Sequence, residues 1–234
     1  MFGRTKRSAA GWRRRLVTGL VAVLVTTVLG TAGWLVGFSS VLEVRSVTVH
    51  RPDEALLAQQ RILSTAQVPM GTPMVRADLQ AISDRVATLP EVAEVTVSRR
   101  WPNTISVDVT ERTAAFALEQ PSGYQLVDAS GVAYHRVDRV PSGLTTVVAD
   151  DADRALLTGL AEMVHALPKQ VRSKVTRVEA STRDQVTLIL RGNVKVIWGS
   201  PTDSELKASV AVVLLEVKGV RTVDVSAPSH PTTR

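Results

Sequence analysis

The sequence of 234 residues predicts an α+β protein with three parts: a single N-terminal transmembrane helix, a β-α-α-β-β domain, and a mixed α/β domain with a mostly antiparallel sheet. Three observations support this class. Residues 16–38 carry no charge, one strand pattern and two helical patterns precede a β-hairpin, and a second series of strand and helix patterns fills the rest of the chain.

The N-terminal tail, residues 1–15, contains 6 basic and no acidic residues, whereas the rest of the chain carries 22 basic and 22 acidic residues. The formal charge of +6 therefore resides in the tail, and we do not expect the folded part to bind nucleic acid. Residues 16–38 would reach roughly 34 Å as a helix, which is enough for a bilayer core. The positive-inside rule then predicts a cytoplasmic tail and extracytoplasmic domains.

A cleaved signal peptide is the alternative interpretation of this run. Its apolar region would be shorter, and here Trp34, Leu35 and Val36 continue it. The absence of cysteine suits an exported domain that needs neither a disulfide nor a thiol nucleophile.

The first domain, residues 42–112, begins with the strand pattern "VRSVTVH". A helix should begin near Asp53 and Glu54 and end near Ala66. Apolar spacings of three and four residues indicate a second helix, with Leu79, Ile82, Val86 and Leu89 on one face. The stretch "RRWPNTISVDVTER" predicts a hairpin that turns at Trp101. We expect this side chain to pack beneath the hairpin rather than to form a stacking platform for a glycan or base.

The second domain, residues 113–226, opens with two strands around a turn at Asp128–Gly131. A helix over about 151–167, three β-rich runs and a helix from Thr202 to Lys218 follow, the last one opened by the capping box "TDSE". Trp198 is expected in the core. The last strand is "VRTVDVS", and residues 227–234 are predicted to be a disordered tail.

The sequence offers no convincing catalytic or metal-binding group. Its histidines lack the i, i+4 spacing of zinc enzymes, and neither a G-x-S-x-G nor a phosphate-loop motif occurs. Asp150, Asp151 and Asp153 could form a cation site, but the apolar helix that follows favours a role in helix capping. We therefore predict no enzyme activity, no cofactor and no metal, and we interpret the protein as a binding module.

The last strand has no following element to cover it, so we expect an exposed edge that accepts a partner's strand. The predicted partner-binding residues are consecutive: Val220, Arg221, Thr222, Val223, Asp224, Val225 and Ser226.

The hairpin of the first domain resembles the end of a POTRA domain of the FtsQ/DivIB family of bacterial division proteins. The resemblance rests on a valine strand, a basic-Trp-Pro-x-Thr turn and a strand that ends in Glu-Arg: Val92, Val95, Val97, Arg99, Arg100, Trp101, Pro102, Thr104, Ile105, Val107, Val109, Glu111 and Arg112. Leu126-Val127-Asp128 with Gly131 is similar to the family's Val-Asp-x-x-Gly turn. Gly199, Lys207 and Asp224 match positions of its second, β domain. Tyr134 replaces a usual Phe, and Thr113-Ala114 replaces a common proline.

The resemblance implies a noncatalytic scaffold in the cell membrane at the division septum. It implies binding to partners of the FtsB/FtsL type through the C-terminal edge strand, and to other division proteins through the POTRA domain or the transmembrane helix. It implies no nucleic acid and no small-molecule substrate. Two alternatives remain: a POTRA module of an assembly or secretion factor, and an anchored cell-wall hydrolase.

Overall fold

The structure is a computed structural model that describes residues 9–38, 42–52, 55–150 and 152–234. The chain divides into two compact units, residues 1–88 with 94–110, and residues 89–93 with 111–234. The predicted α+β class is confirmed.

The first helix, α1, spans Ala9–Phe38. In the part of the chain that the structure describes, no helix satisfies the length and apolarity required to cross a membrane. The transmembrane helix over 16–38 therefore stays a prediction. Residues 1–8 of the basic tail lie outside the described residues.

The first unit has the predicted β-α-α-β-β order. Its elements are β1 (Ser46–His50), α2 (Gln59–Ala66), a 3-10 helix (Met74–Arg76), α3 (Leu79–Ala87), β2 (Val92–Arg100) and β3 (Thr104–Glu111). The sheet order is β1-β3-β2, with β1 parallel to β3. Helix α2 begins later than expected, and Asp53 and Glu54 lie outside the described residues. The Asp78 side chain caps α3 by accepting a hydrogen bond of 3.0 Å from the Ala81 N–H.

The core of this unit follows the predicted faces. Ile82 and Val86 of α3, and Ile105 and Val107 of β3, are fully buried. The expectation for Trp101 is wrong, because its side chain is 53% exposed. It lies in the turn between β2 and β3, where Arg100 and Pro102 are also exposed, so about half of the ring faces solvent.

Among the residues that the structure describes, the second unit contains nine strands. They are β4 (Ala114–Gln120), β5 (Gly123–Asp128), β6 (Ala133–Val137), β7 (Thr145–Ala149), β8 (Val175–Thr182), β9 (Gln185–Leu190), β10 (Val194–Gly199), β11 (Thr222–Asp224) and β12 (Thr232–Thr233). The sheet order is β12-β11-β10-β9-β8-β7-β4-β5-β6. Five neighbouring pairs are antiparallel, and β4·β7, β7·β8 and β10·β11 are parallel. Strands β4 and β7 were not predicted.

Three helices accompany this sheet: α4 (Arg154–Ala166), α5 (Lys169–Arg172) and α6 (Ser204–Leu214). Asp153 caps α4 through a 2.7 Å hydrogen bond from the Leu156 N–H, as the capping interpretation predicts, whereas Asp151 lies outside the described residues. The predicted capping box of α6 is wrong. Asp203 has a positive φ and makes no side-chain cap, and the Ser204 hydroxyl donates to the Pro201 carbonyl instead.

The core of the second unit lies between the sheet and helices α4 and α6. Its large members include Trp198, Phe116, Leu160 and Met163, each fully buried. The predicted burial of Trp198 is confirmed, and its indole N–H donates to the Ser204 hydroxyl at 3.2 Å. This contact satisfies the polar atom of the largest core side chain.

Candidate interaction edge at the C-terminal end of the sheet

The predicted partner-binding strand lies next to β10 near one end of the nine-stranded sheet. Its register pairs Val223 with Val196, and the Val225 N–H donates to the Ile197 carbonyl at 2.9 Å. Val223 and Val225 are fully buried in the core of the second unit. These two side chains therefore stabilise the sheet and are not available to a partner.

Val220 is half-buried and packs against that core, whereas Arg221 is exposed. Thr222 and Asp224 are half-buried, and Ser226 is exposed. The Asp224 carboxylate accepts hydrogen bonds from the Ser226 N–H at 2.9 Å and the Ser226 hydroxyl at 2.7 Å, which closes the turn after the strand. A Cβ at Gly199 would come within 2.9 Å of the Ser226 Cβ, so the glycine permits this approach of the two chains.

The expectation that Val220–Ser226 has an open outer edge is wrong. The chain doubles back, and β12 pairs antiparallel with β11, with Val223 opposite Thr233 and Asp224 opposite Thr232. The N–H groups of Arg221 and Thr222 both donate to the Arg234 carbonyl at 2.9 Å, and the Arg234 N–H donates to the Thr222 carbonyl at 2.9 Å.

Residues 227–234 were expected to be disordered because the tail contains Pro228, Pro231 and no large apolar side chain. The structure places Pro228 in a turn, which is closed by a 2.9 Å hydrogen bond from the His230 N–H to the Ala227 carbonyl. The prolines therefore remove no donor from the short ladder that follows. The consecutive threonines at 232 and 233 belong to a residue type enriched in strands, but they do not specify the strand with which they pair.

The hydrogen bonds fix which backbone groups of β12 face outward. Arg234 exchanges hydrogen bonds with Thr222, so its N–H points towards β11. Successive residues of a strand direct these groups to opposite sides, so the N–H and C=O of Thr233 point away from β11. Because β12 has one neighbour in the sheet, Thr233 presents the outermost backbone groups of this end.

A buried lysine, Lys207, lies in the first turns of α6, the helix that follows β10 after a short loop. The Lys207 side chain is 3% exposed, and its Nζ donates to the Ser200 carbonyl at 2.8 Å. Burial lowers the pKa of Lys207, and the nearby Asp203 and Asp184 carboxylates partly oppose that shift. The lysine therefore anchors the start of α6 beneath the loop after β10.

The turn between β5 and β6 lies near the opposite end of the same sheet. Asp128 Oδ1 accepts hydrogen bonds from the Ser130 N–H at 2.9 Å and the Val132 N–H at 2.9 Å, and Oδ2 accepts one from Arg112 at 2.5 Å. Burial alone would raise the pKa of Asp128, but hydrogen bonds from Val132, Arg112 and Ser130 hold it below its ordinary value. The Val-Asp-x-x-Gly pattern thus forms a turn that a carboxylate closes.

No group of three or more His, Cys, Asp or Glu residues suited to a metal ion occurs among the described residues. Of the histidines, His135 of β6 has its Nδ1 3.6 Å from Oε1 of Glu91, and His165 of α4 is exposed.

Comparison with known proteins identifies two family matches that cover most of the chain. Residues 42–112 match the model "POTRA domain, FtsQ-type", and residues 115–226 match the model "Cell division protein FtsQ/DivIB, C-terminal". A solved structure of the major extracytoplasmic domain of the division protein DivIB from Geobacillus stearothermophilus matches with 15% identity and a TM-score of 0.36. That match covers 47% of this chain and 99% of the solved chain.

Curated relatives extend over nearly the whole chain. "Cell division protein FtsQ" of Streptomyces bingchenggensis is 32% identical over 231 residues, covering 94% of this chain and 86% of the relative. The protein of the same name from Mycobacterium tuberculosis is 31% identical, covering 94% of this chain and 71% of the relative. The Mycolicibacterium smegmatis protein is 32% identical and covers 91% of this chain, which spans 63% of that relative's length. The chain belongs to the FtsQ/DivIB family of cell division proteins.

Proposed function

We propose that this protein is a noncatalytic scaffold of the bacterial division complex, anchored in the cell membrane by residues 16–38 and located at the septum. Its N-terminal tail lies in the cytoplasm and its two domains outside it, so that the chain links early cytoplasmic and late extracytoplasmic division proteins. The family assignment supports the division role, and the uncharged run after a basic tail supports the anchor.

The partner site in this proposal is the outer edge of β12, which pairs along its inner edge with the predicted partner-binding segment Val220–Ser226. Partners of the FtsB/FtsL type would add a strand there, with affinity supplied by main-chain hydrogen bonds. The observation that carries the proposal is that β12 ends the sheet with one neighbour. The outward groups of Thr233 are the donor and acceptor that a strand added beyond β12 would meet.

The test replaces Thr233 with proline in the full chain and measures co-purification with the FtsB-type and FtsL-type proteins of the same organism. Thr233→Pro removes an outward donor and no bond to β11, so we expect a folded chain that no longer captures the partner. Thr233→Ala, which keeps the N–H, is the matched control and should bind as the unmodified chain does. Full capture by Thr233→Pro with an unchanged circular dichroism spectrum would contradict strand addition at this edge.

A further inference from the structure

Basic side chains gather at one end of the second unit, where α5 leads into β8. Val175 at the start of β8 pairs with Leu190 at the end of β9, so the segment 169–174 and the turn after β9 lie side by side. A 2.8 Å hydrogen bond from the Arg191 N–H to the Lys174 carbonyl fixes this arrangement. The basic residues brought together here are Lys169, Arg172, Lys174 and Arg191.

Three of these cations line an open cavity of about 450 Å³: Lys169, Arg172 and Arg191. Arg191 Nη2 donates to the Ser173 carbonyl, which orients its guanidinium. None of the four basic residues forms an ion pair with another residue in the described ranges. Of the residues that the structure describes, no acidic one lines this cavity, so Lys169, Arg172 and Arg191 give it a net positive charge.

A second, smaller concavity of about 130 Å³ adjoins the same segment. Val212 and Leu215 contribute apolar surface to it, and Lys174 and Glu216 contribute opposite charges. Elsewhere on α6 and just after it, Val213 and Val217 are 65% and 52% exposed. The cationic cavity is thus flanked by a site that can take an apolar side chain.

We propose that this end of the second unit, comprising Lys169, Arg172, Lys174 and Arg191 with the concavity beside Val212 and Leu215, binds a peptide segment of a protein partner that carries acidic and apolar side chains. Guanidinium groups match carboxylates with paired N–H donors, and Lys169 adds a compact charge. The apolar concavity would take a neighbouring aliphatic side chain of the same peptide.

The second concavity distinguishes this ligand from a uniformly anionic one. Glu216 would repel a chain of phosphates or a layer of anionic lipid headgroups. The apolar side chains of Val212 and Leu215 would make no favourable contact with phosphates or charged headgroups. A peptide that alternates acidic and apolar residues suits both cavities at once. The site goes beyond the proposed strand addition, because side-chain charge rather than backbone pairing selects its ligand.

The experiment measures the binding of a fluorescent eight-residue peptide with three Glu and two Leu to the full chain in a non-ionic detergent, by fluorescence anisotropy. The same peptide with Gln in place of Glu should bind more than about tenfold more weakly at low salt. Raising the salt should reduce the affinity for the Glu peptide, because the cavity is open to solvent.

Variants locate the site. Arg172→Gln should weaken binding about fivefold, and the double variant Lys169→Gln/Arg172→Gln should weaken it further. Arg100→Gln removes an exposed guanidinium of the first unit and should leave the affinity within twofold. Thr233→Pro should bind the peptide normally, which separates this site from the strand-addition site.

Three results would overturn the proposal. The first is equal affinity for the Glu and Gln peptides, and the second is an equal effect of Arg172→Gln and Arg100→Gln on that affinity. The third is displacement of the fluorescent peptide by polyphosphate, or by phosphatidylglycerol in the micelle, at concentrations too low for unlabelled Glu peptide to displace it. The last result would assign the cavity to a phosphate-bearing ligand instead.

Discussion

The two ends of the nine-stranded sheet are held in different ways. At the β5–β6 end, the Asp128 carboxylate accepts hydrogen bonds from two backbone N–H groups, a hydroxyl and Arg112. At the β11–β12 end, three backbone hydrogen bonds join Arg234 to Arg221 and Thr222, and every residue from 231 to 234 is exposed.

We call the β5–β6 end the structural end, because side-chain contacts hold it, and the β11–β12 end the adaptable end. Several side-chain contacts share the cost of opening the Asp128 turn, so they must break together. The β12 ladder has little buried apolar surface to resist fraying, and local opening there costs little free energy. A sheet end of this second kind suits strand addition, since its backbone can adjust to an incoming segment.

The largest expected effect is at the structural end, in Gly131→Ala. Gly131 has a φ of +73°, and a Cβ there would lie 2.6 Å from the Arg154 carbonyl oxygen and 2.8 Å from the Thr158 nitrogen. Both atoms belong to the backbone of α4 and cannot move separately. We expect a loss of about 3 kcal/mol in the free energy of unfolding, from positive φ and overpacking together.

Gly192→Ala is the matched control for this substitution. Gly192 has a φ of +80°, but nothing lies within 4 Å of its added Cβ. Its cost should be the backbone strain alone, about 1 kcal/mol. Urea denaturation of both variants measures the difference, and equal losses would show that the turn does not depend on its approach to α4.

An intermediate effect is expected from Asp128→Asn, which keeps an acceptor oxygen but removes the charge opposite Arg112. The variant should be less stable by about 1–2 kcal/mol at pH 7. Because the folded state holds the pKa of Asp128 below its ordinary value, its contribution is complete above about pH 4 and is lost as the pH falls through the folded-state pKa.

The stability gap between Asp128→Asn and the unmodified chain should therefore narrow as urea titrations are repeated from pH 6 down to pH 2. A gap that stays constant over this range would mean that the Asp128 charge does not stabilise the turn.

The same contrast explains what the sequence could predict. The Asp128 turn follows from local chemistry, since a carboxylate and a glycine three residues apart suffice to indicate it. The spacing of Val223 and Val225 places both on one face of the strand, but the sequence assigned them to a partner site, whereas they lie in the core. The return of the tail depends on pairing between Thr222 and Arg234, and no local pattern encodes that partner. Trp101 is exposed against expectation, because an aromatic residue type indicates burial only where another element lies over the side chain.

The smallest expected effect is at the adaptable end, where deletion of residues 229–234 removes β12. The deletion removes the backbone hydrogen bonds that join Arg234 to Arg221 and Thr222, the pairing of Thr232 with Asp224 and the turn bond from His230 to Ala227, and water takes their place at this exposed edge. We expect a loss below about 1 kcal/mol in the free energy of unfolding. Amide hydrogen exchange should show the change locally, as faster exchange at Thr222 with unchanged exchange at Val132 in the Asp128 turn. Thr232→Ala, which keeps the backbone ladder, should leave the Thr222 amide protected. A loss of more than about 2 kcal/mol on deletion would show that both ends are structural, because only an edge that contributes to the core could cost as much as the Asp128 turn.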